Sequence, residues 1–276
     1  MNGSPPSGQT NPWERIGAGA LFAGDVLDGL RAWKGDPFQT IVADPPYFQV
    51  LAGTEWDHGW NGEDDYLDWT EAWVRAAAAL LAEDGLLYVF GQPGKREHVW
   101  LHLCSRLARV LAFHDLLVWD RVVGYNERRD SFTPQFEMIL VLRRPGTDRV
   151  YFDKDAVREP YDEETIRRYA RDKRYKDPLA REAHLRKGKF ATNILRVPSL
   201  KGSSREKVGH PSQKPLALVD KLVRASSRPG DPVLDPFLGS GTTAVACERT
   251  GRRWAGIEKD PAYREMARRR LAACRT

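Results

Sequence analysis

Short apolar runs alternating with helix-period segments dominate this chain, and that rhythm builds a parallel sheet whose strands are joined by crossover helices. Residues 20–23, 40–43 and 86–90 read as strands, with helices over 26–33 and from about 65 to 82 between them. Trp69 and Trp73 lie four residues apart on the second helix, the spacing of a single face, and read as core. That helix is expected to stop before Asp84-Gly85. Two further strands, 115–119 and 137–142, flank the polar stretch 121–135, which is long enough to be a functional loop. The rhythm breaks at about Pro145 and returns after Val208 as a helix over 215–227, a strand over 233–235, a helix over 241–249, a strand over 253–258 and a final helix over 261–273. Residues 14–145 and 209–276 are therefore expected to form one discontinuous α/β domain, with 146–208 inserted in it. Residues 1–13, rich in Gly, Ser, Pro and Asn, read as a disordered tail.

Composition matters here mainly through its distribution. A chain of 276 residues with 41% hydrophobic and 29% charged residues is expected to be globular and soluble. Its longest central apolar run, 86–91, is far too short to cross a bilayer. The N-terminus carries no basic stretch followed by an apolar one, so no membrane partner and a cytoplasmic location are expected. Cys104, Cys247 and Cys274 are scattered, which speaks for reduced structural thiols rather than a disulfide framework or a zinc site. Net charge is only +5, yet between Arg143 and Lys207 nineteen Lys/Arg face eleven Asp/Glu, a local excess of +8. Tyr151, Tyr161, Tyr169, Tyr175 and Phe190 are interleaved there. Such a segment is a solvated face or a phosphate-binding surface, and its surroundings decide which.

Asp44-Pro45-Pro46-Tyr47 directly follows the apolar run 40–43, at the carboxyl end of a strand, where open α/β sheets collect ligands. An exocyclic amino nitrogen on a nucleobase is a weak nucleophile, because its lone pair is delocalised into the ring. Two acceptors aimed at its N–H bonds localise that pair, and the Asp44 carboxylate with the Pro45 carbonyl could supply them on a backbone stiffened by Pro45 and Pro46. Tyr47 could stack on the base. As a bare tetrapeptide it is also compatible with an ordinary turn. Far downstream, the strand-end stretch Asp235-Pro236-Phe237-Leu238-Gly239-Ser240-Gly241-Thr242 opens a helix, and its glycines let the backbone approach a ligand. Glu258, at the end of the next strand, is placed to accept from ribose hydroxyls, which points to a nucleoside-containing cofactor. The Gly94-Lys95 pair lacks the earlier glycine of a phosphate loop.

Together these stretches resemble the S-adenosylmethionine-dependent amino-group DNA methyltransferases, the N6-adenine and N4-cytosine family, in its circularly permuted β-group order with the catalytic motif first. Gly24-Asp25, His210-Pro211-Ser212-Gln213-Lys214-Pro215, and Ile257-Glu258 with Pro261 and Tyr263 also match, so the resemblance covers about residues 20–145 and 209–272. It implies a seven-stranded, mostly parallel sheet with helices on both faces, and S-adenosylmethionine as cofactor. Asp44, Pro45, Pro46 and Tyr47 would form the catalytic motif. Asp25, Asp44, Lys214, Asp235, Pro236, Phe237, Gly239, Ser240, Gly241, Thr242 and Glu258 would line the cofactor pocket. The basic insert becomes a target-recognition region for double-stranded DNA, with a second copy of the chain as a further possible partner. The stretch 121–135, with Tyr125, Asn126, Arg128, Arg129 and Phe132, would meet the flipped nucleotide or the opened strand.

Within that family Asp as the first letter of the tetrapeptide favours adenine N6, where cytosine enzymes usually carry Ser. Cytosine N4 is the alternative, and a non-catalytic DNA-binding regulator on the same fold is the alternative of another class. Cytosine ring methylation would need a cysteine nucleophile, typically after Pro, and none of the three cysteines follows one. Protein-glutamine and RNA methyltransferases with a related tetrapeptide carry the cofactor motif first. His98 and His102 have metal-ligand spacing but no completing ligand in sequence, and read as structural histidines with no metal expected.

Overall fold

The computed structural model describes residues 12–48, 59–92, 97–124, 127, 129–172, 174 and 176–274. Residues 1–11 of the expected tail, Gly94, Lys95, Tyr125, Asn126, Arg128 and Tyr175 lie outside the described residues.

Five parallel strands form the middle of the sheet: β2 (Gly19–Ala23), β9 (Arg253–Glu258), β8 (Pro232–Asp235), β3 (Phe38–Ala43) and β4 (Leu81–Gly91), side by side in that order. Beyond β4 come β6 (Phe136–Arg143) and β5 (Ala112–Asp120), both antiparallel to their inner neighbour. These seven are the expected sheet, but the described sheet has nine strands. The two additions sit at its edges. β1 (Trp13–Ile16) pairs antiparallel with β2 across a turn containing Gly17, at φ 58°. β7 (Ile194–Arg196) pairs parallel with β5. Each covers a ladder of backbone groups that would otherwise face outward.

Trp13, expected in the tail, is thus a strand residue. It is buried between the rings of Phe22, at 5.4 Å, and Trp33, at 5.0 Å. Asp84-Gly85 also departs from expectation, because β4 runs through it. The register against β3 jumps from Phe38↔Leu81 to Thr40↔Leu86, a bulge in which a Cβ at Gly85 would meet the Gln39 carbonyl oxygen at 2.9 Å. The preceding helix consequently ends at Ala79.

Period-2 alternation along the central strands divides the core into two layers. Ile41, Ala43, Leu87, Val89, Leu234, Ala255 and Ile257 face one side, where α1 (Val26–Ala32), α2 (Glu63–Ala79) and α3 (Glu97–Leu107) pack. Val42, Leu86, Tyr88, Phe90, Val233 and Trp254 face the other, against α6 (Leu216–Ser226), α7 (Thr242–Thr250) and α8 (Pro261–Ala273). Strands buried on both faces read as continuous apolar runs, and for that reason they were legible.

The insert is stitched to this sheet at both ends. Tyr151 N–H donates to the Asp84 carbonyl and Asp153 N–H to that of Ala225; on the return, Val197 N–H donates to the Asp120 carbonyl and Ser199 N–H to that of Arg121. Between the stitches lie α4 (Glu163–Ala170) and α5 (Pro178–Arg186), each N-capped by an aspartate, Asp162 and Asp177, with Ile166 and Leu185 buried. The Lys154 ammonium and the Arg158 guanidinium lie 4.4 and 3.9 Å from the Phe190 ring centre, so part of the interleaved aromatic content holds cations in place.

Candidate active site

The carboxyl ends of β3, β8, β9 and β4 open into one cavity of about 950 Å³. Every expected site residue but one lines it, including Asp25 from the start of α1, Asp44 to Tyr47 after β3, and Glu258 at the end of β9. Gly241 is the exception. It stands at φ 80° as the residue capping α7, and a Cβ there would meet the Ala267 Cβ at 2.9 Å, so its work is to let the turn close onto α8. The two motifs, far apart in sequence, share this cavity because β3 and β8 are hydrogen-bonded neighbours, Thr40 with Val233 and Ile41 with Leu234.

On the cofactor-motif side, Gly239 at φ 50° directs its N–H to the Glu258 Oε2, at 2.8 Å, and Asp260 N–H donates to Oε1, at 2.7 Å. Burial raises the Glu258 pKa, partly opposed by these two donors. Asp235 is deeper. Its Oδ1 accepts from Phe237 N–H at 3.0 Å, and burial pushes its pKa up to about 7. Asp25 caps α1 by accepting from Leu27 N–H at 2.8 Å. The Phe237 ring lies 5.8 Å from that of Trp69 and 5.0 Å from that of Trp73. Trp73 is core as expected, whereas Trp69 is half-buried and lines the cavity. Ser240 and Thr242 are held from below by Arg270, whose Nη1 donates to the Ser240 carbonyl at 3.0 Å and to the Thr242 hydroxyl at 2.9 Å. His210 rests against Tyr263, ring centres 4.3 Å apart, and burial lowers its pKa to about 4, so it is a neutral imidazole near neutral pH.

The tetrapeptide side is a charge cluster. The Lys214 ammonium donates to Asp44 Oδ2 at 2.7 Å and lies 3.5 Å from Glu137 Oε2. The Tyr47 hydroxyl donates to Asp44 Oδ1 at 2.9 Å and lies 3.1 Å from Glu137 Oε2. Arg121 Nη1 is 3.5 Å from Glu137 Oε1. Burial works against the Lys214 ammonium, but the Asp44 and Glu137 carboxylates more than offset it and hold its pKa above the ordinary lysine value. Burial, then the neighbouring carboxylates, push the Tyr47 phenol well above its usual range, so it stays a donor. Pro46 turns its carbonyl away, to accept from the Tyr66 hydroxyl at 3.1 Å. Lys214, expected in the cofactor half, therefore contacts the catalytic motif.

Glu137 and Arg121 were not expected in the site. An acidic residue at the start of the apolar strand 137–142 was their only sequence signal. His98 and His102 lie elsewhere, at 3.0 and 2.6 Å from the two carboxylate oxygens of Glu63, where they join α3 to α2. Among the described residues no group of three or more His, Cys, Asp or Glu side chains is arranged to hold a metal, and no helix is long and apolar enough to cross a membrane.

Comparison with known proteins agrees with this geometry. The chain is 28% identical over 248 residues to the Type II methyltransferase M1.MboII of Moraxella bovis, covering 88% of this chain and 92% of that one. It is also 28% identical over 257 residues to the DNA adenine methyltransferase YhdJ of Escherichia coli (strain K12), covering 92% and 83%. Among solved structures, a DNA modification methylase of Thermus thermophilus, TTHA0409, complexed with S-adenosyl-L-methionine, superposes with a TM-score of 0.60 at 25% identity, over 92% of this chain and 95% of that one. The cytosine-N4-specific PvuII DNA methyltransferase shares the fold, with a TM-score of 0.65 at 17% identity over 93% and 90%. The sequence signature of the N6_N4_Mtase family, described as DNA methylase, matches residues 38–269, a span that takes in both halves of the cavity. The chain belongs to this family of amino-group DNA methylases.

Proposed function

We propose that this protein is a site-specific DNA methyltransferase that moves a methyl group from S-adenosylmethionine to the exocyclic N6 of adenine. The observation that carries the reading is the shared cavity: an Asp-Pro-Pro-Tyr strand end and a glycine turn with its strand-end glutamate open onto the same space. The cofactor half fits a cationic nucleoside. Three carboxylates, Asp25, Asp235 and Glu258, face it beside the Phe237 and Trp69 rings, a combination suited to ribose hydroxyls, a positive centre and a flat base. S-adenosylmethionine supplies a methyl carbon already activated by positive sulfur, so that the C–N bond forms as the C–S bond breaks with its electron pair staying on sulfur.

The protein's part is to prepare the nitrogen. The Asp44 carboxylate and the Pro45 carbonyl accept the two amino N–H bonds, which draws the lone pair out of the ring and towards the methyl carbon. One amino proton leaves along the Asp44 contact and passes to solvent. A carboxylate has about four acceptor positions, so Asp44 can take this N–H while keeping Tyr47 and Lys214. A base inside a duplex reaches the pocket by flipping out. The insert 146–208 is the target-recognition region in this reading, its basic side chains gripping phosphates while a few others read bases. Asp44 at the head of the tetrapeptide favours adenine over cytosine.

Incubating purified protein with unmethylated DNA and S-adenosylmethionine, then sequencing with a method that detects modified bases, tests the reading. N6-methyladenine at one recurring sequence is the expected result. N4-methylcytosine would correct the base, and no modification of any DNA would leave a non-catalytic binding protein.

A further inference from the structure

Asp44 does not stand alone in the cavity. It belongs to a buried group of four charges and one phenol in which Lys214 and Tyr47 each face two carboxylates, Asp44 and Glu137. The side chains of Lys214, Glu137 and Arg121 are 8%, 9% and 10% exposed, and that of Asp44 is 22% exposed. Two carboxylates, an ammonium and a guanidinium sum to zero charge, as a site cut off from water requires. Arg121 faces the far carboxylate oxygen of Glu137 and also reaches the Pro134 carbonyl at 3.3 Å. It thereby ties both ends of the stretch 121–135 to the cluster. The next residue, Val122, stands at φ 70° with its N–H donating to Asp120 Oδ1 at 2.8 Å. A β-branched residue in the left-handed region is strained, and such strain persists only where surrounding contacts hold the corner that aims the neighbouring side chain.

We infer that Glu137 is a positioning residue for the methyl transfer: it shares the Lys214 ammonium and the Tyr47 hydroxyl with Asp44, so that the Asp44 carboxylate keeps the electron density it needs to accept the target amino group. The inference rests on the reading of Asp44 as that acceptor. A carboxylate fully neutralised by a lysine at 2.7 Å accepts a further N–H weakly, because its charge is already spent on the ammonium. Glu137 draws part of that ammonium away, and Arg121 in turn balances Glu137. Removing the charge of Glu137 leaves two cations against one carboxylate, with Lys214 and Tyr47 both resting on Asp44. Removing Lys214 as well returns the group to neutrality and frees one oxygen of Asp44.

A charge-balance cycle separates this from a merely structural role. Single-turnover methyl transfer is measured at saturating DNA and S-adenosylmethionine for the wild type, Glu137→Gln, Lys214→Gln and the double variant, with thermal melting and DNA binding recorded for each. Glu137→Gln keeps the shape and an acceptor for Tyr47. It is expected to slow transfer about 10- to 100-fold while DNA binding stays unchanged. Adding Lys214→Gln is expected to raise the rate above that of Glu137→Gln alone. A double variant as slow as Glu137→Gln or slower overturns the inference, as does a Glu137→Gln enzyme with wild-type rate. A wild-type protein that transfers no methyl group to any unmethylated DNA overturns the reading of function, and the inference falls with it.

Discussion

Lys214 Nζ sits 2.7 Å from Asp44 Oδ2, although 170 residues separate them in the chain. Lys214 precedes α6 and Asp44 follows β3, so this contact closes one half of the domain onto the other across the inserted segment. Both partners lie largely out of water, and an unpaired charge there is costly. Lys214→Met should therefore destabilise the fold by about 3 to 5 kcal/mol, the range for breaking a buried pair by removing one partner. Chemical denaturation of the isolated protein measures it. A loss under about 1 kcal/mol, typical of a surface ion pair, would show that water reaches the cluster.

Asp44→Ala should abolish methyl transfer and leave cofactor binding largely intact, because the carboxylate faces the amino group while the cofactor contacts lie across the cavity. The expected loss is at least about 100-fold in single turnover. Calorimetric titration with S-adenosylmethionine provides the second readout. An Asp44→Ala protein that turns over at the wild-type rate would remove Asp44 from the mechanism.

The glycine turn makes the opposite prediction. Gly241 has φ 80° and no room for a Cβ beside Ala267, so Gly241→Val forces the turn and α8 apart. A stability loss of about 1 to 3 kcal/mol follows from the backbone conformation alone. Cofactor affinity should fall with it, since the Gly239 N–H that meets Glu258 belongs to the same turn. Melting curves with and without S-adenosylmethionine check both parts.

Acid–base behaviour should show two buried groups opposing one another. Burial raises Asp235 from 3.8 to about 7, so across that window the folded state holds a proton the unfolded chain has released, and stability falls as pH rises. Burial lowers His210 from 6.5 to about 4, so there the unfolded chain holds the extra proton, and stability rises with pH. The two slopes oppose each other between about pH 4 and 6.5. Asp235→Asn should expose the rising slope and His210→Gln the falling one in melting experiments across that range. Cofactor affinity should also climb with pH towards 7 in the wild type, since a cation favours the ionised Asp235, and should lose that climb in Asp235→Asn.

Phe132, in the stretch 121–135, is 94% exposed, so burial does not account for a ring at this position. Phe132→Ala should leave melting unchanged and weaken binding of duplex DNA carrying a mispaired target base by about 1 to 3 kcal/mol, the range for loss of one aromatic–base stack. Fluorescence anisotropy measures the binding, and unchanged affinity would show that this side chain stays clear of the DNA.

The strands of the central sheet were legible because both faces of each are buried, which leaves continuous apolar runs such as 40–43 in the sequence. The strand-end motifs were legible because Pro-Pro and Gly-x-Gly are backbone devices whose purpose is local. The edges were less so. Trp13 and residues 194–196 lie in polar surroundings, and only their neighbours in space, Phe22 and Trp33 for one and β5 for the other, turn them into strands. Asp84-Gly85 has the composition of a turn because a bulge and a turn use the same residues.

The order of residues carried the α/β class, the interruption by a basic insert, the two motifs and their succession, and hence the family. How those motifs meet came from the folded arrangement. It assigned Lys214 to the Asp44 side of the cavity, withdrew Gly241 from the lining, and brought Glu137 and Arg121 into a charge-balanced group that no local pattern announces. Backbone demands are written in adjacent residues, whereas charge balance in a buried site is a sum over side chains that only the fold makes neighbours.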